Sequence, residues 1–123
     1  MAEHTDFGKQ AEQCAVEYLE SKGYRIVAKN FRYQKAEIDI IAEYENLLII
    51  IEVKARANNL FIEPYEAVDK RKIKLIVSAA DAFLRENPYE NEVRFDIVSI
   101  IRGEGNQLKI QHIENAFESF DAN

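Results

Sequence analysis

The stretch AEIDIIAEYENLLIIIEVKAR, residues 36–56, decides how this chain folds. Two runs rich in isoleucine, Glu37 to Glu43 and Leu47 to Lys54, flank the pair Glu45-Asn46. β-Branched runs joined by a short link make an antiparallel hairpin. Counting outward from the link sets Asp39 across from Glu52 and Glu37 across from Lys54. Side chains alternate faces along a strand, so Glu37 and Asp39 share one face while Ile38 and Ile40 point the other way. On the second strand Glu52 and Lys54 share a face. A slip of one residue would turn the whole polar set into the core, so the apolar pattern itself protects this register.

Working outward from the hairpin, Tyr24 to Ala28 reads as a strand before it. Phe7, Ala11, Cys14, Ala15, Tyr18 and Leu19 fall at helical spacing. Thr5 is placed to cap that helix and Gly23 to stop it. Beyond the hairpin, Val68, Leu75, Ile76, Ala79, Phe83 and Leu84 keep helical spacing, with Pro64 suited to the first turn and Asn87-Pro88 as a stop. Strands are expected at Val93–Ile101 and Leu108–Ile113, joined by the Gly103–Asn106 turn, and the stretch after Asn115 carries no clear pattern. The order α-β-β-β-α-β-β describes one α/β domain over residues 1–123, with a mixed central sheet flanked by helices.

At 123 residues and 47% apolar content the chain is long enough to bury a core and too apolar for disorder. A single cysteine, Cys14, excludes a disulfide framework and a cysteine zinc cage. The apolar run Leu47 to Ile51 is far short of the roughly 18 residues of a membrane span. Glu3, His4 and Asp6 stand where a secretory signal needs a basic and then an apolar stretch, so a cytoplasmic protein is expected. The net charge of −6 argues against a general polyanion binder, but the charge is uneven. Residues 23–35 carry +4 and residues 54–74 carry +3, on either side of the acidic hairpin. Local basic segments bind phosphates where the global charge does not favour it.

The chemistry concentrates in the hairpin. Directly opposed Cβ atoms lie about 4.5–5.5 Å apart, so Asp39 and Glu52 repel unless a cation sits between them. Oxygen donors on a rigid strand pair suit a hard divalent ion such as Mg²⁺ or Mn²⁺, with water completing its shell. Lys54 alongside is placed to orient a water or to stabilise charge on a phosphate, a set that fits hydrolysis of a phosphodiester. The competing reading is a hairpin whose solvent face merely pairs Glu, Asp and Lys. Glu12 lies on the rim of the first helix's buried arc, where it can reach toward the sheet.

Glu37-Ile38-Asp39, then twelve residues, then Glu52-Val53-Lys54 resembles the (P)D…(D/E)xK signature of restriction-endonuclease-like nucleases. The wider pattern is Gly8…Glu12…Ala15…Tyr18-Leu19, Gly23-Tyr24, Asn30, Arg32, the two motifs with Ala55-Arg56, Ala67-Val68, Lys72, Ala79 and Arg94-Phe95-Asp96. This pattern resembles the bacterial YraN-like family over nearly the whole chain, and that family is similar to archaeal Holliday-junction resolvases in fold and motif order. The resemblance implies a restriction-endonuclease-like fold and an Mg²⁺- or Mn²⁺-dependent endonuclease acting on structured or branched DNA, working as a homodimer by analogy with resolvases.

By the same resemblance Asp39 and Glu52 are metal-binding acids, the Val53 carbonyl is a third ligand, Glu12 joins the metal shell and Lys54 is the catalytic lysine. Glu37 matches the acid preceding Asp in the motif. Arg25, Arg32, Arg56 and Lys72 are phosphate contacts. Ile38 stands in place of the signature's proline, and Ala36 where the family usually has glycine. Two other functions compete: a nucleic-acid-binding module on the same fold with little or no catalysis, and a protein-interaction domain whose carboxylates are surface chemistry.

Overall fold

The structure, a computed structural model, describes residues 6–57 and 68–123. The expected cap at Thr5, helix start at Pro64 and match at Ala67 lie outside the described residues. Helix α1 spans Asp6–Ser21 and strands β1, β2 and β3 span Arg25–Tyr33, Ala36–Tyr44 and Leu47–Arg56. Helix α2 spans Lys70–Glu86, and strands β4 and β5 span Val93–Arg102 and Leu108–Phe117. The element order is the one expected. Glu45 and Asn46 both have positive φ, 49° and 65°, as a two-residue hairpin turn demands. That turn fixes the β2–β3 register from Tyr44 opposite Leu47 to Ile40 opposite Ile51.

Gly23 takes φ 95° after α1, and the Tyr24 N–H reaches back to the Leu19 carbonyl at 3.0 Å. This bond closes the helix end in the geometry that favours glycine. Helix α2 begins at Lys70, later than the expected start, and Val68 lies outside it. Asp69, with extended backbone, accepts the Lys72 N–H at 2.9 Å and satisfies an otherwise orphaned donor. Strands β1 and β5 run further than expected, to Tyr33 and Phe117, because each is paired along its length with a long neighbour.

The sheet order is β1-β2-β3-β4-β5, with β3 and β4 parallel and every other pair antiparallel. The crossover from β3 to β4 carries α2 onto one face, over Ile41, Leu48, Ile50 and Phe95. Ile73, Ile76, Ala79, Ala80 and Phe83 form its buried side. Helix α1 covers the other face, where Ala11, Ala15 and Leu19 meet Ile49, Ile51, Val98 and Ile100. Burial of each large side chain contributes about 1.5–3 kcal/mol, so the two apolar layers hold the sheet between them.

One expectation of strand geometry fails, and it fails at the informative residue. Ile38 packs with Ala36 under α2, whereas Ile40 packs under α1 and Ile41 under α2. Ala28 and Phe31 of β1 likewise pack on the same side three residues apart. Both strands therefore change phase, at Asn30 in β1 and at Asp39 in β2. Asn30 takes φ 54°, the left-handed conformation that asparagine tolerates better than most residues. Beyond the break, residues 31–38 form a ribbon turned toward α2, with Phe31 against the edge of Phe83 at 5.3 Å between ring centroids.

Candidate metal centre

Asp39 stands where β2 and β3 part. Their pairing runs no further than Ile40–Ile51. From there β2 continues beside β1 to Ala36, while β3 continues beside β4 to Arg56. In the crotch of this fork the Asp39 carboxylate takes the place of a strand partner, and its Oδ2 accepts the Val53 N–H at 2.8 Å. The N–H and C=O of one strand residue project to the same edge, so the Val53 carbonyl also faces the fork.

Glu52 and Lys54 follow the regular alternation of β3 on the side of Leu48 and Ile50, the side covered by α2. Glu52 lies close enough to Asp39 to share a hydrogen bond and to repel its charge. Burial first, and then Glu52, push the Asp39 carboxyl up to about 8; the Val53 N–H opposes the shift and the Glu12 charge adds to it. Glu12 is carried by α1. Among the described residues, however, no group of three His, Cys, Asp or Glu side chains is set to hold a metal ion. The Glu12 charge nevertheless reaches Asp39 and adds to its upward shift.

The preformed donor set is two carboxyls with the Val53 carbonyl beside them. It fits a small hard dication, because Mg²⁺ is commonly held by one or two carboxylates and keeps several waters. A pair of acids in which one holds its proton above neutral pH is a site short of positive charge.

The expected opposition of Glu37 and Lys54 does not form, because the phase break intervenes. Alternation from Ile38 puts Glu37 on the side away from α2, and Lys54 lies on the α2 side. Glu37 pairs instead across β1 with Arg32, at 3.2 Å. Arg25 pairs with Glu43 near the hairpin turn. It lies four residues along β2 from Asp39, about 13 Å at strand rise, so the fold does not bring it to the acids. Arg56 continues the Glu52–Lys54 face at the end of β3. Ala36 is buried without a positive φ, so the glycine usual in the family is not required there.

Two features escape sequence reasoning. Lys72 Nζ, from the first turn of α2, lies 3.1 Å from Glu52 Oε2. The second is a polar cluster on the α1 side. Asp96, 1% exposed, receives two bonds from Arg94 at 2.9 and 2.8 Å and the Asn115 N–H at 3.0 Å. His112 Nε2 lies 2.8 Å from the same carboxylate, and its Nδ1 is 2.9 Å from the Tyr18 hydroxyl. Arg94 also donates to the Tyr24 hydroxyl at 2.8 Å. Burial alone would raise Asp96, but the bonds from His112, Arg94 and Asn115 outweigh it and hold the carboxyl below its ordinary value. The signal in the sequence was a charged pair, Arg94 and Asp96, at alternate positions of an apolar strand.

A five-stranded mixed sheet with a helix on each face and an acid pair at a strand fork defines an α/β protein of restriction-endonuclease-like fold. The chain belongs to the family described as uncharacterised protein family UPF0102, whose pattern matches residues 11–100. It is 46% identical to a UPF0102 protein of Flavobacterium psychrophilum, over 98% of this chain and all of the relative. It is 50% identical to one of Bacteroides thetaiotaomicron, over 95% of this chain and 96% of the relative. Among the described residues no helix is long and apolar enough to cross a membrane.

Proposed function

We propose that the protein is a metal-dependent endonuclease that hydrolyses phosphodiesters in structured or branched DNA. The observation that carries this reading is the fork itself: two carboxyls are drawn together where strand pairing stops, with a lysine two residues beyond one of them. Asp39 and Glu52 hold an Mg²⁺ or Mn²⁺ ion, and Val53 serves twice, its N–H aiming Asp39 and its carbonyl facing the same space. A divalent ion in such a site supplies Lewis-acid activation of water and neutralises charge at a phosphodiester. Lys54 emerges on the same face as Glu52, about 7 Å further along β3, where its ammonium reaches a phosphate oxygen or a proton in transfer. Glu37 keeps Arg32 in place at the rim. Arg32, Arg56 and Lys72 bind the DNA backbone, which fixes position without reading sequence.

The test is cleavage of linear, flapped and four-way DNA with Mg²⁺ or Mn²⁺, beside Glu52→Ala as control. Metal-dependent cleavage lost in the variant is the expected result. DNA retention without cleavage, unchanged by loss of the acids, would instead make the chain a binding module.

A further inference from the structure

Lys72 occupies a position that helix electrostatics disfavour. With Asp69 as cap it is the third residue of α2, after Lys70 and Arg71, so three cations crowd the positive end of the helix dipole. The third position commonly takes glutamate or glutamine, which bonds back to the cap. Here the side chain crosses to β3, and its ammonium sits 3.1 Å from Glu52 Oε2, beside a carboxylate only 15% exposed. A cavity of about 180 Å³ opens at the same place, lined by Glu52, Lys54, Val68, Asp69 and Lys72.

From this geometry we infer that Lys72 is a resident counter-cation of the acid pair, which a divalent ion displaces and which then serves the phosphate of the substrate. The inference rests on the metal-site reading above. Asp39 and Glu52 carry at most two negative charges between them, and one dication satisfies both. Displaced from Glu52, the Lys72 ammonium stays beside Lys54 at the wall of this cavity, in reach of an anionic group placed there. Metal and phosphate thus bind in a preferred order, because the cation frees the ammonium that the phosphate needs. The flexible four-carbon stem of lysine allows this exchange without movement of the helix.

Calorimetric titration of Mn²⁺ without DNA tests the displacement. A unit charge and a double charge about 5–6 Å apart repel enough, even at the dielectric constant of water, to change affinity by roughly tenfold. Lys72→Met and Lys72→Gln are expected to bind Mn²⁺ about tenfold more tightly than the parent, and Lys70→Met within about twofold of it. Equal or weaker binding by both Lys72 variants, with Asp39→Asn still abolishing the site, would overturn the inference and leave the metal reading intact. Absence of binding by the parent chain would overturn both. As a second measurement, Mn²⁺ is expected to strengthen retention of a short DNA duplex by the parent several-fold and to do so much less for Lys72→Met.

Discussion

Asp39 and Asp96 occupy the same sheet and meet opposite fates. Asp96, at the level of Ile51 on the strand beside β3, is enclosed by Arg94, His112 and a backbone N–H, and its carboxyl is held below the ordinary range. Asp39, at the fork, has one backbone N–H and a second acid for company, and its carboxyl is pushed up to about 8. The first centre is matched in charge and completes its hydrogen bonds internally; the second gives up stability to keep two acids together. Local conflict of that kind is expected where a protein works, and consistency where it merely holds together. The polar cluster of Asp96 clamps α1, Tyr24 ahead of β1, β4 and β5, and the acid pair is where the proposed ion would sit.

The largest effect that would sharpen this contrast is the loss of Asp96. Asp96→Ala removes the buried carboxylate that Arg94, His112 and the Asn115 N–H all bond, and urea denaturation is expected to show a loss of about 3–5 kcal/mol. A loss below about 1 kcal/mol would break the comparison. In the parent, stability from Asp96 is fully present above the ordinary carboxylate value and is lost as pH falls through the depressed folded value.

The sign reverses at Asp39. The unfolded chain releases this proton near 3.8 and the folded state holds it to about 8, so rising pH draws stability away across that window. The metal-free parent is expected to lose thermal stability as pH rises from about 5 to 8, by a few kcal/mol at most, and Asp39→Asn much less. Mn²⁺ is expected to restore the parent at the alkaline end. A parent and variant with parallel pH profiles would contradict the strained pair.

Lys54→Ala is expected to keep the fold and most of the metal affinity while single-turnover cleavage falls at least about a hundredfold. Cleavage near the parent rate would remove Lys54 from the chemistry. The smallest effect is at the rim. Neutralising Arg32 together with Lys72 is expected to lower the salt slope of DNA binding by about one for each phosphate no longer neutralised, whereas Arg25→Ala, held by Glu43 away from the fork, leaves the slope unchanged.

The hairpin register from Tyr44–Leu47 to Ile40–Ile51 was readable, because a two-residue turn and a run of buried isoleucines are local signals, but the expected direct oppositions of Asp39 with Glu52 and Glu37 with Lys54 fall beyond the point where pairing stops. Strict alternation misplaced Ile38 and Glu37, because it assumes a continuous strand. The clue was present: Ile40 and Ile41 are adjacent apolar residues, and a strand with an unbroken polar face has no reason to pair them. Lys72 reaches Glu52 only after the crossover has folded back, and His112 reaches Asp96 only across neighbouring strands. Such contacts have no period to read. Glu12 was legible as an acid on the rim of α1, but its distance from a shared ion depends on how the helix packs.

The connection between the parallel strands has a consequence for the order in which the molecule assembles. β1, β2 and β3 follow one another through short turns, so Asp39 and Glu52 can meet by local closure of thirteen residues. The Asp96 cluster instead joins Tyr18 and Tyr24 to residues 94–115, and it waits for β4 to find β3 across the intervening segment. Non-local pairing of parallel strands is the slow kind, since the chain entropy of the closure is lost before its contacts form. The acid pair thus belongs to the fast half of the folding reaction and the clamp to the slow half, so that Asp96→Ala acts mainly by accelerating unfolding.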